Sequence, residues 1–122
     1  MSNTFVWVDI PVRDLDRAIA FYSAVCGQPV DKIGGPGFNF GLFKHEGDQV
    51  GGCLVEFEEH GPSLEGPLVY LDAGGRLDAA VAAAVQGGGS VLKAKHSIAP
   101  NGWRAVIADS EGNRVALHSM TE

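Results

Sequence analysis

Apolar and polar residues alternate near the start of the chain, and this alternation predicts a β-strand over Thr4–Val12. The branched residues Val6, Val8, Ile10 and Val12 fall on one face, where period two places a buried side. The opposite face is mixed, because Trp7 and Asp9 put an aromatic ring beside a carboxylate. This second face is the first candidate for a site.

A helix is predicted directly after this strand. Apolar residues recur at helical spacing from Leu15 to Cys26, Asp14 is suited to cap the start, and Gly27 to end it. Three further strands follow, with a glycine-rich turn at 34–37; they are predicted over Gln28–Ile33, Phe38–Lys44 and Val50–Phe57.

The same order of elements returns after a charged connection over about 58–66. A strand at Pro67–Ala73 precedes a helical stripe that starts at Leu77 and stops at Gly87. Three more strands are then predicted, at Ser90–Lys95, Gly102–Ala108 and Asn113–Ser119. The helix starts also correspond, since Leu15-Asp16-Arg17-Ala18 is answered by Leu77-Asp78-Ala79-Ala80. We therefore expect an internal duplication of a βαβββ module.

The fold class predicted from this order is α+β. Modules over about 4–57 and 67–120 are expected to form one domain, spanning 1–122, with helices outside a cup-shaped, barrel-like mixed sheet. Alternation turns Trp7, Asp9, Tyr70 and His118 toward the cup. Glycines blur the pattern over 51–56, so the direction of Glu56 stays open.

Composition and charge narrow the function classes. The 122 residues carry 9 Lys and Arg against 15 Asp and Glu, a net charge of −6, which disfavours nucleic acid as a partner. No apolar run is long enough to span a membrane, so no membrane partner is expected. The two cysteines, Cys26 and Cys53, form no Cys-x-x-Cys pair and are typical of reduced thiols. We expect a cytoplasmic protein.

Two motifs resemble the vicinal oxygen chelate superfamily, which includes glyoxalase I, bleomycin-resistance proteins and extradiol dioxygenases. Residues 12–22, Val-Arg-Asp-Leu-Asp-Arg-Ala-Ile-Ala-Phe-Tyr, followed by Gly27, are similar to its opening helix. Residues 109–114, Asp-Ser-Glu-Gly-Asn-Arg, with Leu117-His118, are similar to its closing strand. The resemblance covers nearly the whole chain. It implies paired βαβββ modules, a metal chelated inside the cup of the family's enzymes, and a homodimer.

The metal site implied by the resemblance lacks its ligands in this chain. The family's ligand positions correspond to Trp7, Leu68 and Ala116, with Cys53 near the fourth place. We therefore expect no metal cofactor and favour binding of a small organic molecule in an aromatic-lined cup. The alternative is a metal-dependent lyase, isomerase or dioxygenase, whose divalent ion would bind at a displaced site of Asp9, Glu56 and His118.

Candidate functional residues follow from these expectations. Asp9 and His118 would be an acid and base pair in an enzyme, although His118 is also suited to a structural hydrogen bond. Aromatic rings in the cup would stack on a flat ligand or simply fill the barrel. The predicted cavity lining is Trp7, Asp9, Phe38, Phe40, Tyr70, His96, Trp103 and His118. A third reading is a structural dimer module with a filled barrel.

Overall fold

Each half of the chain forms one helix and four strands in the predicted order. A computed structural model describes residues 3–59 and 61–122. The first module contains β1 (Trp7–Pro11), α1 (Leu15–Cys26), β2 (Asp31–Gly35), β3 (Phe38–Leu42) and β4 (Gly51–Val55). The second contains β5 (Val69–Asp72), α2 (Leu77–Gln86), β6 (Ser90–Ser97), β7 (Trp103–Ala108) and β8 (Arg114–Ser119).

The strands form two mixed sheets with the same topology. The first sheet has the order β1-β4-β3-β2 and the second β5-β8-β7-β6. In each sheet the first and last strands of the module pair in parallel, whereas the other neighbours are antiparallel. This confirms the α+β class and the duplication. The two sheets are separate and not closed into a barrel, which is consistent with an open cup.

Local chemistry sets the limits of α1. The Asp14 side chain accepts a hydrogen bond from the Arg17 amide at 3.1 Å, which caps the start of the helix. Gly27 ends it in the left-handed conformation, with φ of 68°, where a side chain would be strained. Arg76, at the start of α2, donates to the Val25 carbonyl at 2.6 Å and so ties the second module to the end of the first helix.

A single apolar core joins the two modules. The helices contact each other, and each covers one face of its own sheet. The core cluster takes Phe21, Tyr22 and Leu77 from the helices and Leu54 and Leu117 from the central strands. Neither described helix has the length and apolar character that crossing a bilayer requires. The helices thus leave the opposite face of each sheet free, and we call these the two open faces.

The turn between β7 and β8 is fastened to the start of α1 by Glu111. Its carboxylate accepts from the Arg13 and Asp14 amides at 2.9 and 2.8 Å and pairs with the Arg17 guanidinium at 2.7 Å. Burial alone would raise the pKa of Glu111, but these hydrogen bonds outweigh it and lower the pKa to about 2. The Asp-Ser-Glu-Gly-Asn motif therefore holds the two modules together.

The second strand begins later than the sequence predicted. Gln28–Ile33 was the expected range, whereas β2 runs from Asp31 to Gly35. Pro29 has no amide to donate to a ladder, and Val30 instead packs into the core. The turn expected at 34–37 is correspondingly shorter, because Gly35 still pairs with Phe38.

Candidate functional site

The open face of the first sheet is largely apolar. Side chains alternate in direction along a strand. Val8, Ile10 and Leu54 pack with the helices, so the residues next to them in the sequence point to the open face. Phe40 is on this open face as well, because the added Cβ of its neighbour Gly41 would meet Ile19, Val30 and Leu54 on the core side. The residues on this face are Trp7, Asp9, Ile33, Phe38, Phe40, Leu42 and Cys53.

Trp7, Asp9 and Cys53 form the polar centre of this face. The Trp7 indole Nε1 donates to Asp9 Oδ1 at 3.1 Å, and the Cys53 thiol donates to the same oxygen at 3.1 Å. The Trp7 ring also meets the His45 ring edge-on, with centroids 5.3 Å apart. The carboxylate therefore orients the indole while 43% of Trp7 stays exposed.

The environment of Cys53 keeps its thiol protonated. Burial and the hydrogen bond to Asp9 raise the pKa of Cys53 to about 11. Because the thiolate is the nucleophile and the metal-binding form, this thiol is a hydrogen-bond donor at neutral pH. Cys53 thus acts on this face as a hydrogen-bond donor to Asp9.

The open face of the second sheet is polar. Arg104, on β7, donates from Nε to His96 Nε2 at 3.0 Å and from Nη1 to the Tyr70 hydroxyl. Its guanidinium carbon also lies 5.9 Å from the centre of the Tyr70 ring. Tyr70, Arg104 and His96 belong to three different strands of the sheet. The fold therefore brings together three side chains that are separated in the sequence, at positions 70, 96 and 104.

His118 is on the same face but does not meet Asp9. Its Nε2 donates to the Asn101 carbonyl oxygen at 2.6 Å, and its ring centre is 6.3 Å from that of Tyr70. Asp9 is on the other sheet, with Trp7 and Cys53 as its partners. The acid and base pair proposed from the sequence is therefore not formed within one chain.

The alternative metal site of Asp9, Glu56 and His118 is not assembled either. Glu56 accepts from the Leu15 amide at 3.0 Å, which places its carboxylate at the start of α1. No group of three His, Cys, Asp or Glu side chains in residues 3–59 and 61–122 is arranged to hold a metal ion. The positions that the resemblance implies for the family's ligands carry Trp7, Leu68 and Ala116, whose side chains are not usual metal ligands.

Trp103 is a correction to the predicted cavity lining. Its side chain packs against the core cluster, on the same face of β7 as Ala105 and Ile107. Trp103 was a candidate because aromatic rings suit a ligand cavity, but alternation along β7 assigns it to the core side. The same alternation turns Arg104 to the open face, and applying it there would have found this residue.

Of the remaining predicted residues, Phe38 and Phe40 lie on the first sheet, and His96 lies within β6, which extends to Ser97 and not only to Lys95 as predicted. Phe38 and Phe40 point the same way from β3, with ring centres 5.6 Å apart, and Phe38 is 59% exposed. Tyr70 is 47% exposed. The predicted lining residues therefore divide between two faces: the aromatic pair with Trp7 on the first sheet, and Tyr70 with His96 and His118 on the second.

Two cavities lie where the modules meet. One, of about 920 Å³, reaches from His45 and Phe43 to Tyr70 and Leu71. The other, of about 590 Å³, lies beside Trp7 and Asp9 and is also lined by Leu68, Val69 and Arg114. Both have the size of ordinary small-molecule sites. Residues from both modules line each of them.

Residues 5–118 match the family model described as the glyoxalase-like domain. Two curated mycobacterial proteins, from Mycobacterium bovis and Mycobacterium tuberculosis, are each 30% identical over 112 residues, or 91% of this chain. Both are named "Putative glyoxylase CFP32". The chain spans 42% of the length of these relatives.

Solved structures share the fold at low sequence identity. A glyoxalase/bleomycin resistance protein from Albidiferax ferrireducens superposes with a TM-score of 0.76 at 17% identity, covering 96% of this chain and 98% of that one. TnmS3, an antibiotic binding protein from a Streptomyces species, superposes with a TM-score of 0.64 at 24% identity, covering 98% of both chains. At these identities the likeness establishes the fold alone.

Proposed function

The chain belongs to the glyoxalase-like domain family of the vicinal oxygen chelate superfamily, and on that premise we propose that it binds a small organic molecule without a metal. The ligand lies on the open faces, with its flat part against the exposed aromatic side chains. The observation that carries this proposal is the pairing of Trp7 with Asp9, which presents an oriented, half-exposed indole beside a cavity of about 590 Å³.

An oriented indole is well suited to stacking. A ring that is already held by a hydrogen bond loses little conformational freedom when a ligand covers it, and ring contacts are worth about 1 kcal/mol beyond the buried area. The lining of this cavity adds Phe5, Pro11 and Leu68. A flat, mainly apolar ligand matches this lining, and the antibiotic-binding relative TnmS3 has the same fold.

The donor chemistry supports a metal-independent role. Of the positions where the family holds its metal, one carries the protonated thiol of Cys53 and the others carry Trp, Leu and Ala. The three residues of the alternative metal site, Asp9, Glu56 and His118, make hydrogen bonds to different parts of the fold. Lyase or dioxygenase chemistry that needs a chelated ion has no set of ligands among these residues.

A homodimer is part of the proposal. The open faces expose large side chains such as Phe38, Ile33 and Tyr70, and a second copy would cover them and complete the cup. We also place the protein in the cytoplasm, which agrees with the free thiols of Cys26 and Cys53. Sedimentation of the purified protein as a monomer at micromolar concentration would contradict the dimer.

A titration with N-phenyl-1-naphthylamine, a neutral aromatic dye, tests the proposal. We expect saturable binding, and a loss of affinity of about fivefold or more in Trp7→Ala, since roughly 1 kcal/mol of ring contact is removed. Val85→Ala is the control, because Val85 is an apolar residue of comparable exposure, 52% against 43% for Trp7, but lies on α2. Equal affinity in Trp7→Ala and the wild type would refute the role of the indole, and absence of saturable binding would refute the proposal.

A further inference from the structure

The second sheet carries an arginine whose hydrogen bonds leave a donor free. Arg104 uses Nε for His96 and Nη1 for Tyr70. Within the residues that the structure describes, its Nη2 makes no hydrogen bond and its guanidinium has no carboxylate partner; the ion pairs found there belong to Arg17, Lys32 and Lys95. The guanidinium of Arg104 is thus held in place by two hydrogen bonds, while no carboxylate among the described residues balances its positive charge.

The proton positions of its neighbours follow from the contacts. His96 Nδ1 donates to the Ala94 carbonyl oxygen at 2.8 Å, since a carbonyl can only accept. His96 Nε2 therefore carries the lone pair that accepts from Arg104 Nε, and the imidazole is neutral. The ring fixes the guanidinium without adding a second positive charge.

Tyr70 contributes a second free donor. Its oxygen accepts from Arg104 Nη1, so its own hydroxyl proton is available for another group. The nearest acid on the same strand, Asp72, accepts from the Gly74 amide at 2.8 Å. Tyr70 is 47% exposed, so a ligand can approach this side chain.

We propose that Arg104 and Tyr70 form an oxyanion site on the open face of the second sheet, and that the ligand is an aromatic or other flat molecule carrying a carboxylate, sulfonate or phosphate group. A guanidinium N–H and a phenol O–H that lie next to each other are suitable hydrogen-bond donors to the oxygen atoms of an anionic group. This inference rests on the proposed function, and it names the chemistry of the ligand. The net charge of −6 repels anions in general, so an anion would bind at a local cation such as Arg104, which has no carboxylate partner in the described part of the chain.

Two dyes with the same ring system test the site. 8-Anilinonaphthalene-1-sulfonate and N-phenyl-1-naphthylamine differ by one sulfonate, so the ratio of their affinities isolates the contribution of the anion. We expect the wild-type protein to prefer the sulfonate. Arg104→Gln should lower the ratio about tenfold, as expected for the loss of a charge-assisted hydrogen bond. Tyr70→Phe should lower it about threefold.

Arg13→Gln is the matched control, because it removes the same charge from an exposed arginine at the start of α1; the ratio should not change. An unchanged ratio in Arg104→Gln, or a wild-type protein without preference for the sulfonate, overturns the oxyanion site and leaves the proposed function standing. Absence of binding of both dyes overturns both. If Arg104→Gln does not fold, Tyr70→Phe alone decides: an unchanged ratio refutes the site.

Discussion

The two tryptophans show how one residue type serves two roles. Trp7 is half-exposed and held by Asp9, whereas Trp103 packs against the core beside Ala105 and Ile107. Both lie on strands, and composition does not distinguish them. The role of each ring depends on the face of its strand: Trp103 lies on the core face and Trp7 on the open face.

Trp103→Ala should destabilise the protein by roughly 2 kcal/mol, because it removes a large, partly buried side chain that packs against the core. Trp7→Ala should cost less than about 1 kcal/mol, since its ring is largely outside the packed cluster. Urea denaturation of the two variants beside the wild type gives both values. Equal destabilisation would contradict the assignment of the two rings to different faces.

At the residue scale, the direction of a side chain from its strand was predictable from the sequence, whereas its hydrogen-bond partners were not. Trp7, Asp9, Tyr70 and His118 lie on the open faces because strict alternation fixes direction along a strand. The pairing of Arg104 with His96 and Tyr70 depends on the order of strands in the sheet, which alternation does not contain. The glycines of 51–56 left the direction of Glu56 open; in the structure the strand ends at Val55, and the Glu56 carboxylate turns to the start of α1.

At the scale of elements, the contact between α1 and the β7–β8 turn is the strongest electrostatic feature. The pKa of Glu111 is about 2 in the folded protein against an ordinary value of 4.5. Because the folded value is the lower one, the ionised carboxylate stabilises the fold fully above pH 4.5, and this stabilisation is lost as the pH falls toward 2.

Glu111→Gln should therefore cost roughly 2 kcal/mol at pH 7, and the difference from the wild type should shrink steadily between pH 4.5 and 2. Chemical denaturation at a series of pH values measures it. Glu65→Gln, an exposed acid in the connection, is the control and should change little. A difference between Glu111→Gln and the wild type that persists undiminished to pH 2 would contradict this account.

The elements themselves were largely predictable. Capping by Asp14, the stop at Gly27 and the alternating strands each have a local cause, and the helix of the first module begins and ends where the sequence indicates. The start of β2 was not predictable from propensity, because Val30 leaves the strand to pack into the core. Tertiary packing decided that boundary.

At the scale of the whole molecule, the two open faces differ in chemistry: the first is largely apolar, and the second carries a cluster of polar side chains. The first sheet offers Trp7, Phe38 and Phe40, and the second offers Tyr70 and Arg104. A flat apolar group matches the first face, and an acidic group matches the second. The duplication thus gives two copies of one architecture with different chemistry on each.

The central claim is that this protein binds an organic ligand without a metal, and one measurement tests it most directly. Protein treated with a chelator is titrated with N-phenyl-1-naphthylamine, and the titration is repeated after one equivalent of Ni²⁺, Zn²⁺ or Mn²⁺ is added. We predict saturable binding with the same affinity in every case, and weaker binding in Trp7→Ala. Binding that vanishes on chelation and returns with a metal would contradict the account.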